Sequence, residues 1–114
     1  MTWKELQKYL KGKLLLIGLS FVDKKGDLVE QYQTHGTIIE LTDNGLLKIK
    51  RNDNTIFQMP YDKETISQPD KGEYRERSTG LIIKDPDYIM SWEITINEND
   101  DTDEIKKVGF VPAE

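Results

Sequence analysis

The chain has 114 residues, of which 36% are hydrophobic and 32% are charged. This length suits a modest core, so we expect residues 1–114 to form a single domain. The absence of cysteine excludes disulfide bonds, thiol catalysis and thiolate metal sites. Because no apolar run reaches the roughly 20 residues that span a bilayer, and no signal peptide is recognisable, we expect a cytoplasmic protein without a membrane partner.

The net charge of −5 has a local origin. The segment 97–104, "NENDDTDE", contains five acidic residues and no basic one, and the acids and bases of the rest of the chain balance. The bulk charge therefore argues neither for nor against a nucleic-acid partner, whereas segment 97–104 would repel phosphates.

The first twelve residues predict one short helix over residues 2–11. Thr2 and Glu5 form a capping-box pattern, and Gly12 supplies a stop. The residues at helical spacing on one face are Trp3, Leu6, Tyr9 and Leu10. A helix this short needs a surface to cover.

From residue 13 to residue 96 the period changes to two, which predicts a β-rich body. The irregular segment 60–72 contains two prolines and predicts a long loop. After the β-rich body we expect an acidic loop over 97–104 and a C-terminal edge strand over 105–111. The predicted strands of the body are 13–22, 27–33, 36–41, 46–51, 55–60, 74–78, 81–84 and 89–96.

The clearest alternation is in "IMSWEITI", where Met90, Trp92, Ile94 and Ile96 share one face. We expect Trp92 to pack under the N-terminal helix. Many short strands after one helix predict a mainly β fold, either a small SH3-like or Sm-like barrel or a rolled antiparallel sheet.

Residues 72–92, "GEYRERSTGLIIKDPDYIMSW", carry a resemblance to a family of uncharacterised small bacterial proteins with a GEYR–STG–DPDY–W signature. The chain departs from this pattern at Asp70-Lys71 and at Leu81. The resemblance bears on the fold and implies a bacterial origin, and no established activity comes with it. The matching residues are Pro60, Gly72, Glu73, Tyr74, Arg75, Ser78, Thr79, Gly80, Asp85, Pro86, Asp87, Tyr88 and Trp92. More loosely, residues 2–96 resemble Sm-like and SH3-like barrels, which would imply RNA binding.

Asp85 and Asp87 flank a proline, and two interpretations are open. Their carboxylates could hold a cation or act as an acid and base. Proline also presets a turn, and neighbouring aspartates bond to backbone amides, so a turn explains the same residues without a function. We favour the turn, because an exposed corner seldom separates the pKa values of two carboxylates as catalysis requires.

Basic and aromatic residues predict a second candidate surface. Arg75 and Arg77 alternate on one strand, and the basic residues at 48–51 would join them if the hairpins are neighbours. With nearby tyrosines this would suit single-stranded nucleic acid or an acidic protein; the alternative is a solvated strand face. The full candidate binding surface is Lys48, Lys50, Arg51, Tyr61, Tyr74, Arg75, Arg77, Asp85 and Asp87.

Two further features favour structural interpretations. His35, the only histidine, precedes a glycine and has no fixed catalytic partner in the sequence, so we expect a polar turn residue. Segment 97–104 lacks the ligand order of an EF-hand, so we expect a solvated loop. It could also attract a basic partner, because such fields speed association.

With no nucleophile–base pair, phosphate loop or metal cluster in the sequence, we expect neither an enzyme nor a cofactor. The favoured function is a binding module that recognises another protein, in the manner of an immunity protein facing a basic toxin. The alternative is an Sm-like or SH3-like RNA-binding protein, and an enzyme using Asp85, Asp87 or His35 ranks last. An exposed C-terminal edge strand would allow a homodimer.

Overall fold

The computed structural model describes residues 1–97 and 100–111. The fold is mainly β with a short N-terminal helix, as the sequence predicts. The elements are α1 (Trp3–Leu10), β1 (Leu14–Val22), β2 (Leu28–Leu41), β3 (Leu46–Lys50), β4 (Ile56–Pro60), β5 (Ile66–Ser67), β6 (Glu73–Arg75), β7 (Ile82–Lys84), β8 (Tyr88–Thr95) and α2 (Thr102–Val108). Within the described residues, six strands form one sheet in the order β4-β3-β2-β1-β8-β5, and β6 pairs with β7 in a separate hairpin.

Helix α1 begins where the capping pattern predicts. The Thr2 hydroxyl accepts a hydrogen bond from the Glu5 amide at 3.2 Å, which satisfies one of the free amides of the first turn. The helix ends at Leu10, which is buried in the core. The side-chain amide of Gln7 donates to the Leu41 carbonyl at 2.7 Å, so α1 is fixed to the end of β2.

One face of the sheet carries the core, and β1 lies between β2 and β8 in the middle of the sheet. Strands β1 and β8 supply many of the core residues. These two strands run parallel, with Ile17 opposite Met90, whereas the other strand pairs of the sheet are antiparallel. Their matched register places the apolar side chains of both strands on the same face. The predicted inward alternation of β8 is confirmed, because Met90, Trp92, Ile94 and Ile96 all belong to the core or pack against it.

A single long strand, β2, occupies the region where two strands and a turn are predicted. The predicted break at Thr34-His35 is wrong, because both residues pair with β1 in an unbroken ladder. A Cβ on Gly36 would lie 2.6 Å from the Lys50 carbonyl oxygen. Glycine is needed here because the backbone of β3 passes close to that of β2. His35 is a strand residue because it pairs with Leu16 of β1.

The predicted C-terminal edge strand over 105–111 is also wrong, because this region contains helix α2. The Asp101 carboxylate caps the helix by accepting from the Asp103 amide at 2.9 Å. Acidic residues in the first turn and lysines in the last turn suit the helix dipole. After the helix, Gly109 forms an isolated parallel bridge with Gln58 of β4.

The predicted acidic loop over 97–104 is only partly a loop. Residues 102–104 form the start of α2, and residues 98 and 99 lie outside the described part of the chain. The like charges that predict a solvated loop are also the residues that stabilise a helix N-terminus.

Trp92 packs edge-on against Phe110, which follows α2, with ring centroids 5.5 Å apart. The rings that pack edge-on against aromatic residues of α1 are those of Tyr61 and Tyr88. Trp92, which we expect under the N-terminal helix, thus makes its aromatic contact with the C-terminal segment. The sequence pattern predicts that Trp92 points inward, but not which end of the chain covers it.

Candidate functional site: a cleft between a hairpin and the sheet

The face of the sheet opposite the core carries polar side chains of β2. His35 pairs with Leu16, one residue out of step with the core residues Leu15 and Ile17. Because side chains alternate along a strand, the His35 side chain leaves the sheet on the non-core face. The β6–β7 hairpin reaches this face through residues 76–79.

The hairpin turn fixes Glu76 tightly. The Glu76 amide donates to the Leu81 carbonyl at 2.8 Å, and its carbonyl accepts from the Gly80 amide at 2.7 Å. Gly80 adopts a φ of 77°, which favours glycine. The Thr79 hydroxyl folds back and donates to Oε1 of Glu76 at 2.7 Å, so both the backbone and the carboxylate of Glu76 are held.

The centre of the site is a buried pair formed by His35 and Glu76. Oε2 of Glu76 lies 2.5 Å from Nδ1 of His35, and the two residues are 2% and 9% exposed, respectively. A carboxylate buried this far needs hydrogen-bond donors, and the imidazole and the Thr79 hydroxyl supply them. On the other side of the ring, Nδ2 of Asn52 lies 3.3 Å from Nε2.

The pair opens onto a cleft of about 230 Å³. One wall is the β3–β4 turn and the other is the turn of the β6–β7 hairpin. The lining residues include His35, Arg51, Asn52, Asp53, Glu76 and Leu81. A second groove of about 390 Å³ lies on the non-core face of the sheet and is lined by Gly18, Ser20, Gln33 and Arg77, among others.

His35 is thus neither a turn residue nor isolated, and sequence reasoning missed its partner. The two residues of the pair are 41 positions apart, and no local pattern connects them. The available signal was the alternation along 31–37, which places His35 in a strand and on the same face as Gln33.

Asp85 and Asp87 occupy a corner of the backbone, as the turn interpretation predicts. The Asp85 carboxylate accepts from the Gly72 amide at 2.8 Å, and the Asp87 carboxylate accepts from the Leu14 amide at 2.8 Å. Each aspartate thereby ties its corner to a distant part of the chain. Among the described residues, no group of three or more histidine or acidic side chains is arranged to hold a metal ion.

The predicted basic and aromatic residues lie in several different environments. Arg51 donates to the carbonyls of Lys106 and Lys107 at 2.9 and 2.8 Å, so its guanidinium anchors the end of α2. The rings of Tyr61 and Trp3 pack edge-on, and burial raises the pKa of Tyr61. Arg51 and Arg77 line different clefts.

The other members of the predicted surface also lie apart. Tyr74 donates its hydroxyl to the Asp70 carbonyl at 2.6 Å. Nζ of Lys48 in β3 lies 3.9 Å from Oε1 of Glu40 in β2. Lys50 is the last residue of β3. Arg75 ends β6 on an exposed site.

Helix α2 is anchored to β2 by an ion pair. Lys106 forms a salt bridge with Glu30, whose carboxylate also accepts from the Thr102 hydroxyl at 2.9 Å. The hydrogen bonds from Lys106 and Thr102 hold the pKa of Glu30 below its ordinary value, and the bond to Glu30 raises the pKa of Lys106. This anchor places the acidic start of α2 beside the start of β2.

Comparisons with family models, with curated proteins and with solved structures find no match to this chain. The likeness of residues 72–92 to a small bacterial family therefore stays a prediction. No helix in residues 1–97 or 100–111 is long and apolar enough to cross a membrane.

Proposed function

We propose that this protein is a non-catalytic binding module, of small SH3-like or Sm-like β type, that recognises a basic protein partner. The observation that supports this proposal is the surface at the start of α2 and β2, which we call the acidic face. Its exposed carboxylates are those of Asp100, Asp103 and Glu104. An exposed aliphatic pair, Leu28 and Val29, 57% and 56% accessible, begins the neighbouring strand β2.

The acidic face is fixed to the fold. Thr102 binds Glu30, which directly follows Val29, and Lys106 binds Glu30 one helical turn later. The carboxylates consequently keep their positions relative to the start of β2. A prearranged surface loses less conformational entropy when a partner binds.

Charge and apolar contact have different roles in such an interface. Acidic groups would steer a basic partner towards the face and make association depend on ionic strength. Burial of the aliphatic pair would slow dissociation, because apolar contacts are not screened by salt. An immunity-like protein that neutralises a basic toxin is one function with these requirements.

The test replaces three carboxylates of the acidic face, in the variant Asp100→Asn, Asp103→Asn, Glu104→Gln. Asp101 is left unchanged because it caps α2. The control variant carries Glu64→Gln, Glu73→Gln and Glu93→Gln, three exposed acids elsewhere on the domain. Both variants change the net charge equally, so a difference between them reports position rather than total charge.

Tagged protein is used to capture partners from a bacterial lysate at low salt, with and without ribonuclease. We expect the wild type and the control to retain the same basic protein and the acidic-face variant to lose it. Leu28→Gln should also weaken retention, whereas Ile82→Gln, at a 50% exposed site on the hairpin, should not. Equal retention by both charge variants contradicts the proposal, and retention that ribonuclease abolishes favours the RNA-binding alternative.

A further inference from the structure

We propose that the cleft at His35 is a binding site for a small uncharged ligand that donates a hydrogen bond to Nε2 of the imidazole. This site lies apart from the acidic face, and the inference does not depend on the proposed function. It follows from the placement of one proton, from one long hydrogen bond and from the charges that line the cleft.

The proton of the neutral His35 ring belongs on Nδ1. Oε2 of Glu76 lies 2.5 Å from Nδ1, and an ionised carboxylate can only accept hydrogen bonds. The other carboxylate oxygen already accepts from the Thr79 hydroxyl at 2.7 Å. With Nδ1 as the donor, the unprotonated Nε2 is left as an acceptor on the cleft side of the ring.

The present partner of Nε2 is easily replaced. Nδ2 of Asn52 lies 3.3 Å from Nε2, which is longer than the usual 2.9–3.0 Å of an N–H donor. Asn52 is exposed in the β3–β4 turn, so its amide can bond to water when it is displaced. A ligand N–H or O–H at a shorter distance would therefore leave no buried group unpaired.

The charges around the cleft disfavour a charged ligand. An anion would lie near the carboxylates of Glu76 and Asp53, and the Arg51 guanidinium already donates its hydrogen bonds to the carbonyls at the end of α2. Those carbonyls are uncharged, so the guanidinium keeps its positive charge and would repel a cation. An uncharged molecule avoids both repulsions and the cost of desolvating an ion.

The size and apolar content of the cleft are consistent with this ligand class. Its volume of about 230 Å³ corresponds to roughly eight water molecules at their liquid volume. Leu81, which is 46% exposed, supplies an apolar wall. A small amide, alcohol or uncharged heterocycle has the required donor and a surface to place against Leu81.

A purely structural role for the pair is the competing explanation. His35 and Glu76 join the hairpin to β2, together with the bond from the Gln33 amide to the Ser78 hydroxyl at 3.0 Å. This role accounts for the burial of the two side chains, but it requires neither an open cleft nor a weakly engaged Nε2. It predicts no response of the ring to an added ligand.

His35 is the only histidine of the chain, so the ring nitrogens of the ¹⁵N-labelled full-length protein give one unambiguous pair of NMR signals. The shifts of the two nitrogens show which of them carries the proton, and we expect it to be Nδ1. The probes are acetamide, acetate and acetamidinium, which share one shape and differ in charge. We expect a saturable shift of the Nε2 signal with acetamide, and smaller or no shifts with the two ions.

Two substitutions at one position sharpen the test. Asn52→Leu should fill the mouth of the cleft and abolish the response, whereas Asn52→Ala should remove the competing donor and tighten acetamide binding roughly two- to tenfold. Asn54→Gly is the control, because Asn54 lies in the same turn, outside the cleft lining, at a φ of 68° that glycine tolerates.

Three results would overturn the proposal. The first is a neutral ring with its proton on Nε2. The second is the absence of a saturable response to acetamide up to ~100 mM, which would saturate any site with a Kd near 1 mM. The third is an equal or larger response to acetate or acetamidinium. Loss of the acidic-face partner would leave all three readouts unchanged.

Discussion

Helix α1 places Leu10 in the core at 2% exposure, whereas no residue of α2 is buried. Both helices pack against the same sheet. Helix α2 is held by Arg51, by the Glu30–Lys106 ion pair, and by partly buried contacts of Ile105 and Phe110. The difference indicates that the N-terminal helix is part of the cooperative core, and that the C-terminal helix is a polar-anchored unit able to open locally.

The largest effect should follow from Leu10→Ala. Removing a buried leucine side chain loses the free energy of its burial and leaves a cavity. We therefore expect the free energy of unfolding to fall by about 2–5 kcal/mol. Chemical denaturation measures this difference. The matched control is Lys8→Ala on the exposed side of α1, for which a change within about 0.5 kcal/mol is expected. Equal effects of the two substitutions would show that α1 is not part of the core.

A smaller and more local effect should follow from Gly109→Ala. Gly109 has a φ of 93°, and a Cβ there would lie 2.6 Å from the Gln58 amide nitrogen. We expect a loss of about 1–3 kcal/mol from backbone strain and lost contact, with amide protection falling in α2 and persisting in β1. Hydrogen exchange followed by NMR measures both regions.

The control for this substitution is Gly26→Ala, at a φ of 87° with no atom within 4 Å of the added Cβ. Alanine at this position also has to adopt a positive φ, but it makes no contact with β4. If the amides of α2 are equally protected from exchange in both alanine variants, the bridge between Gly109 and Gln58 does not hold the helix.

The smallest effect should come from Glu30→Gln. Because the folded pKa of Glu30 lies below its ordinary value of 4.5, its ionised form stabilises the folded state above that value, and this contribution is lost as pH falls through the folded pKa. We expect the variant to open α2 more readily than the wild type near neutral pH, and the difference to vanish in acid. High salt should also reduce the difference, because the pair is partly exposed. A difference independent of pH would contradict the ion-pair anchor.

The parts of the fold that the sequence predicts are those with a clear local period. Helix α1 has its capping residues and apolar face within ten positions, and β8 alternates without interruption. The sequence does not predict helix α2, because five acids in eight positions are equally typical of a solvated loop. The break expected just before Gly36 is wrong for another reason. The sequence does not distinguish a glycine that accommodates a neighbouring strand from a glycine in a turn.

The candidate site depends on contacts that no local pattern encodes. The turn role of Asp85 and Asp87 is predictable, because proline and aspartate have known turn chemistry. The pairing of His35 with Glu76 requires the hairpin to lie against one face of β2, which sequence spacing does not determine. Arg51 similarly predicts a free basic surface from the sequence alone. In the structure its guanidinium is bonded to the end of α2, which the sequence does not indicate.

Native-state hydrogen exchange across the whole chain tests the contrast between the two helices most directly. The account predicts that amides of α1 and β1 exchange only through global unfolding, with one shared free energy. Amides of α2 should exchange through a smaller opening that leaves the sheet intact. Equal protection of α2 and β1, with the same dependence on denaturant, would contradict it.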